Sequence, residues 1–287
     1  MINKFTMHLR WGPKEDVPLD KGHIMNYPHR ARRMGIENNN TVPHTWTARP
    51  DRRPLRALPR TRRYEVAYLG HNTEIADLTR LAPAMPIFED AFCAMARGSL
   101  IATIDGPVAI EDLLPGTLVH TRNNGPQPVL WIGSMSIAPN AENQTDGMGK
   151  LSRITADSFG LGRPMPDLLL GPRARLFRQD ASLITAMGTT AALAPITAFV
   201  DGDTVLEITP PEPVRVYHLA FERHQIISAN GLEIESYHPG SRKDLHLTGQ
   251  MRALFLAMFP HVHSFSEFGP LAYPRLSFDE TQEILAA

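Results

Sequence analysis

From Gly98 onward the chain is written as short apolar runs cut by Gly, Pro and Asn turns, and this punctuation constrains the fold more than any other feature. SLIAT stops at IDGP, VAIEDL at LPGT, LVHTR at NNGP, and QPVLWIGSMSI follows. Later runs are TVLEITP, VRVYHLAF, HQIISA and LEIESY. Runs of roughly 4–8 residues with turn signals every 8–12 positions predict an all-β sandwich or barrel-like fold. Asn230 and Gly231, between the last two runs, carry the strongest short hairpin signal. LSRITADSFG is read as a strand or a short helix, and residues 138–151 as a polar loop.

The flanks read differently. Residues 1–63 hold 14 Lys/Arg against 5 Asp/Glu, many prolines and no sustained apolar period, so they are expected to form a disordered basic arm. An over-extended gene start, with the true first residue at Met25, Met34 or later, is one explanation for them. Residues 64–287 hold 15 against 25 and form an acidic body. A basic arm on an acidic body fits either a nucleic-acid or anion contact or a solvated tail resting on its own domain. Residues 64–92 are a lead-in segment in which YEVAYLG is a strand and TEIADLTRLAP a short amphipathic or irregular connector. From Leu245 the pattern turns helical: GQMRALFLAMFP is apolar on most sides and is expected to pack on the β domain. Ser277 and Glu280 fit a capping box that opens a last helix over residues 278–286.

A single cysteine, Cys93, excludes an intrachain disulfide. No apolar run reaches the roughly 18 residues of a membrane helix, and the N-terminus lacks an apolar signal core, so a cytoplasmic protein without membrane contact is expected. Export without an N-terminal signal stays open. No P-loop, dinucleotide-binding, G-x-S-x-G or H-E-x-x-H pattern occurs, and no cofactor is expected.

Two stretches resemble the Hint superfamily, in particular the bacterial Hedgehog/intein Hint-domain proteins. GSLIATIDGPVAIEDLLPGTLVHTRNNGPQPVLWIG, residues 98–133, is similar to the opening block, with Thr117 where the usual Asp follows Gly116. VRVYHLAFERHQIISANGLEIESYHPG, residues 214–240, is similar to the closing block. The resemblance covers roughly residues 85–245 and implies a twisted β horseshoe over residues 93–244, followed by a helical tail over 245–287. Active members cleave themselves: a Cys or Ser at the first domain position attacks the preceding carbonyl, helped by a Thr-x-x-His element in the middle.

The matched positions here are altered. The family's spacing puts the nucleophile at Ala94, with Cys93 one residue earlier, where a one-residue slip would normally turn it to the opposite face. Cys93 is therefore read either as a nucleophile in a shifted register or as a small buried residue. The middle element reads LLLGPRARL, placing Gly171 at the hydroxyl position and Ala174 at the imidazole position. An alanine offers neither proton nor lone pair. Glu235 and Ser236 stand where a splicing domain ends in His-Asn. The resemblance thus implies a Hint domain without self-cleavage, acting as a binding or structural module whose cleft takes a ligand or protein partner. The alternatives are cysteine-dependent autoprocessing before Cys93 and nucleic-acid or anion binding through the basic arm. His224, Arg173 and Arg175 are the cleft candidates, and Arg163 and Arg178 extend a basic cluster around the middle element. His218, His224 and His238, and separately His261 and His263, lack the enforced convergence of a metal site, so none is expected.

Overall fold

The computed structural model describes residues 60–287 apart from 71, 142, 143, 145, 146, 241–246, 248 and 287. The basic arm over residues 1–59 lies outside them. Two eight-stranded antiparallel sheets carry the fold. In spatial order the first contains Val205–Ile208, Leu151–Ile154, Leu168–Leu170, Met95–Ala96, Val214–Ala220, Trp131–Ile137, Thr61–Leu69 and Ile75–Pro83. The second contains Ala191–Pro195, Arg175–Gln179, Leu232–Glu235, Ile226–Ala229, Leu100–Thr103, Leu118–Thr121 and Gly125–Pro128, with Gly106–Ala109 also paired to Leu100–Thr103. The expected all-β class and most of the strand boundaries are seen.

Local chemistry explains the turns. Asn230 (φ 49°) and Gly231 (φ 83°) both take the left-handed conformation that a two-residue hairpin requires. Their strands pair in register from Ile226 opposite Glu235 to Ala229 opposite Leu232. The Asn230 side chain does further work: Oδ1 accepts from the Leu100 N–H (2.7 Å), and Nδ2 donates to the Pro166 carbonyl (3.0 Å). A Cβ on Gly231 would stand 2.6 Å from the Gly162 carbonyl oxygen. The loop over residues 155–167 is therefore clamped onto the hairpin tip. The capping box forms as expected, with Ser277 N–H donating to Glu280 Oε2 (2.7 Å) and Glu280 N–H donating to Ser277 Oγ (3.2 Å).

The lead-in differs from the sequence expectation. The first strand begins at Thr61, inside the stretch assigned to the basic arm, because Arg62 Nε reaches the buried Glu89 carboxylate at 2.5 Å. TEIADLTRLAP is no irregular connector: Ile75–Pro83 is a strand pairing residue for residue with Thr61–Leu69. It lies at the sheet edge with most side chains half-buried or exposed, so it lacks the apolar alternation that marks a half-buried strand. LSRI is a strand, Leu151–Ile154.

Two large apolar clusters fill the interior. One is aliphatic, built around Ile101, Val119, Leu170, Ile196 and Ile234. The other is aromatic and includes Tyr64, Phe88, Phe92, Trp131, Tyr237 and Phe259. Trp131 stacks on Phe259 at 4.7 Å, meets Phe92 edge-on at 5.2 Å and donates Nε1–H to the Met258 carbonyl at 2.7 Å. The helix Gly249–Leu256 and the turn after it are thereby fixed to the β domain, with Phe255, Met258 and Phe259 fully buried. Trp131→Ala is expected to cost about 3–5 kcal/mol in urea unfolding; a loss below about 1 kcal/mol would mean that the tail is held elsewhere.

Candidate functional site

The chain passes from the first sheet to the second after Met95–Ala96, after Leu168–Leu170 and after Val214–Ala220. The middle passage, residues 171–174, lies directly against residues 93 and 94. Gly171 N–H donates to the Ala94 carbonyl (2.8 Å), and Arg173 N–H donates to the Cys93 carbonyl (3.2 Å). Ala94 N–H in turn donates to Tyr217 in the closing block (3.1 Å). Start, middle and closing blocks thus meet through backbone hydrogen bonds.

Side chains settle which of residues 93 and 94 faces the middle element. Successive residues of an extended chain point to opposite sides, and here Ala94 belongs to the aliphatic core while Cys93 belongs to the aromatic one. A Cβ on Gly171 would stand 2.9 Å from Cys93 Sγ and 2.7 Å from the Cys93 carbonyl oxygen. Counting back from Gly98 selects Ala94, but the sulfur of Cys93 is what stands beside residue 171, because Ala94 turns its side chain into the other core. That sulfur occupies the space a hydroxyl-bearing side chain at position 171 would need. Cys93 is fully buried, and burial pushes its thiol well above the ordinary range, only partly opposed by Arg173. Ala174 is buried and contributes a methyl group alone.

A cleft of about 560 Å³ opens on the other side of this passage. Arg173 and Arg175 line it, as the sequence suggested, together with Asp90, His218, Glu235 and Arg275. Glu235 is the organising group. Its carboxylate accepts from Arg275 Nε (2.8 Å), faces His224 Nε2 (3.0 Å) and lies 3.7 Å from Arg175 Nε. Burial alone would raise its pKa, but Arg275 and His224 more than compensate and hold it at about 2. Arg275 also donates to the His238 carbonyl (2.8 Å), and Arg175 donates to the Leu276 carbonyl (2.9 Å). Arg173 Nε stands 2.8 Å from Asp90, whose pKa burial raises against the pull of Arg173, Arg175 and Arg275. His218 Nδ1 faces the Asp90 carbonyl at 3.3 Å.

His224 does not line the cleft. It stands behind Glu235, its side chain fully buried, with Nδ1 accepting from the Ala272 N–H (2.9 Å). The four-arginine cluster also divides: Arg173 and Arg175 face the cleft, while Arg163 and Arg178 line a separate pocket. Among the described residues, no three His, Cys, Asp or Glu side chains gather as metal ligands, and no helix is long and apolar enough to cross a membrane. Sequence reasoning missed Asp90, Glu235 and Arg275 as cleft residues. Glu235 is one of two glutamates in the run LEIE and nothing local distinguishes it from the half-buried Glu233; Arg275 lies 40 residues further on, likewise unmarked.

Burial holds His218, His238 and His261 at about 4, below their ordinary value of about 6.5. The unfolded chain therefore takes up protons first as pH falls. The stability carried by these neutral rings is complete above about pH 6.5 and is lost as pH falls towards 4. Glu235 adds a lower window: its contribution, roughly 3 kcal/mol, is complete above about pH 4.5 and fades as pH falls through 2. Urea midpoints should drop between pH 7 and 4, and His218→Asn should flatten that drop; an unchanged slope would clear this ring of responsibility.

A family model described as the Hint domain matches residues 93–241, beginning at Cys93 itself. Two solved structures are similar over about half of the chain. A bacterial intein-like domain from Clostridium thermocellum is 14% identical, with 51% of this chain and 99% of that one covered at a TM-score of 0.35. A GSH-linked, splice-inactive variant of the AceL NrdHF class 3 split intein is 9% identical, with 50% and 97% covered at 0.34. No curated protein matches. With more than half of its residues under the family model and its all-β core in place, this chain belongs to the Hint domain family.

Proposed function

We propose that this Hint domain does not cleave itself and acts as a binding module through the cleft lined by Arg173, Arg175, Glu235 and Arg275. The observation that carries this reading is the packing of Cys93 against Gly171. An acyl shift needs a thiolate, a group that polarises the amide before it and a base to move the proton. The Cys93 thiol is buried and held protonated, and residue 171 has no side chain. Residue 174 offers only a methyl group. The cleft keeps a full set of polar groups on its walls, matched as cation–carboxylate pairs at Arg173 with Asp90 and at Arg275 with Glu235. Such paired groups recognise a polar ligand or peptide by exchanging partners rather than by net charge.

A second reading has its own support: the sulfur of Cys93, not the methyl of Ala94, stands beside residue 171, and the family match starts there. In that case the bond between Phe92 and Cys93 breaks as Sγ takes over the Phe92 acyl group. The Cys93 nitrogen gains the proton, and a thiol or water then releases the preceding chain.

Intact-mass measurement of the purified chain, incubated with and without dithiothreitol or hydroxylamine, separates the two. The expected result is an unbroken 31.9 kDa chain under every condition. A fragment of residues 93–287 that disappears in Cys93→Ala would overturn the non-cleaving reading.

A further inference from the structure

A second pocket, of about 330 Å³, is lined by the same sheet as the cleft but shares none of its lining residues. Three arginines line it from three separate pieces of chain: Arg122 after the strand Leu118–Thr121, Arg163 from the clamped loop, and Arg178 in the strand Arg175–Gln179, which also borders a neighbouring hollow lined by Phe199. Glu233 is the one carboxylate on its wall. Arg122 is already satisfied, by an ion pair with Glu233, a hydrogen bond to Gln179 Oε1 (2.8 Å) and a seat over the Phe177 ring at 4.2 Å. Arg163 and Arg178 have no carboxylate partner among the described residues. Arg178 lies 5.6 Å from the Phe199 ring, and Asp180, the acid nearest along its strand, is tied to the N–H and Oγ of Ser182 (2.9 Å each).

The contrast with the cleft is internal to the molecule. There every arginine has a carboxylate; here two cations remain uncompensated, on a body that carries ten more acidic than basic residues (25 against 15 over residues 64–287). The placement is built into the fold. The hairpin tip at residues 230 and 231 grips the loop through the Asn230 side chain and the close approach of Gly231 to Gly162, and so delivers Arg163 to the pocket wall. Like charges gathered this way repel one another until an anion sits between them. Two unpaired guanidinium-bearing residues beside the engaged Arg122 suit a multiply charged oxyanion better than a singly charged carboxylate.

We infer that the pocket formed by Arg122, Arg163 and Arg178 is a binding site for a phosphate-bearing ligand. The site is independent of any chemistry at Cys93, so it stands or falls separately from the proposed function.

The test is calorimetric titration of the full chain with inorganic pyrophosphate and, in parallel, orthophosphate, at low and moderate salt. Saturable one-to-one binding is expected, weakening as salt rises. Arg163→Ala and Arg178→Ala should each weaken it by about ten-fold, the loss of one charge-assisted hydrogen bond. Thermal melting without ligand verifies that each variant folds. Arg178→Lys, which keeps the charge but loses the fork, should fall between wild type and Arg178→Ala. Arg173→Ala, in the cleft, should bind as wild type. Absence of saturable binding, binding unchanged in the Arg163→Ala/Arg178→Ala double variant, or loss in Arg173→Ala instead would each overturn the assignment.

Discussion

A single carboxylate organises the centre of this molecule. Glu235 is buried at the end of the closing strand, and an ionised group in that setting survives only where cations and hydrogen-bond donors surround it. The chain supplies them from three distances. Arg175 comes from the strand after the middle passage, His224 from the turn before the closing hairpin, and Arg275 from the tail beyond the family domain. Because His224 also takes the Ala272 N–H and Arg175 also reaches the Leu276 carbonyl, the same ion cluster stitches the tail to the second sheet. The tail is reinforced by backbone bonds between Leu193 and both Pro274 and Leu276. One desolvated charge thus fixes the mouth of the cleft, the ends of two strands and the path of the last 15 residues.

The division of the interior into an aliphatic and an aromatic cluster has a chemical consequence. Residues 93 and 94 run along the boundary between them and present one side chain to each. Cys93 faces the aromatic side, among Tyr64, Phe88 and Phe92, where a thiolate would lose its hydration without gaining a partner. The same aromatic cluster anchors the first strand and the tail. The groups that bury the thiol therefore also pack against the parts of the fold that lie outside the family domain.

Much of this was legible in the order of residues. Turn chemistry placed the closing hairpin, because two consecutive left-handed positions suit Asn-Gly and few other pairs. The reciprocal bonds of Ser277 and Glu280 followed from a four-residue pattern. What remained hidden was non-local. The strand Ile75–Pro83 is half-exposed along the sheet edge, so it carries no burial alternation, and only its partner strand defines it. Counting back from Gly98 selected Ala94, whereas which of two adjacent side chains faces residue 171 is decided by the packing of the two cores on either side. His224 looked like a cleft residue from its place beside the kink, yet depth is set by which side of Glu235 it occupies. The basic cluster around the middle element read as one patch in the sequence, but strand alternation and a loop grip divided it between opposite destinations.

The close approach at Gly171 limits what that position can hold. Any β-carbon placed there meets the carbonyl and sulfur of Cys93, and main-chain atoms yield far less readily than the end of a flexible side chain. A larger residue at position 171 therefore requires the segment beside it to move. The tolerance of this spot to substitution is set by the main chain of residue 93 rather than by the bulk of the incoming side chain.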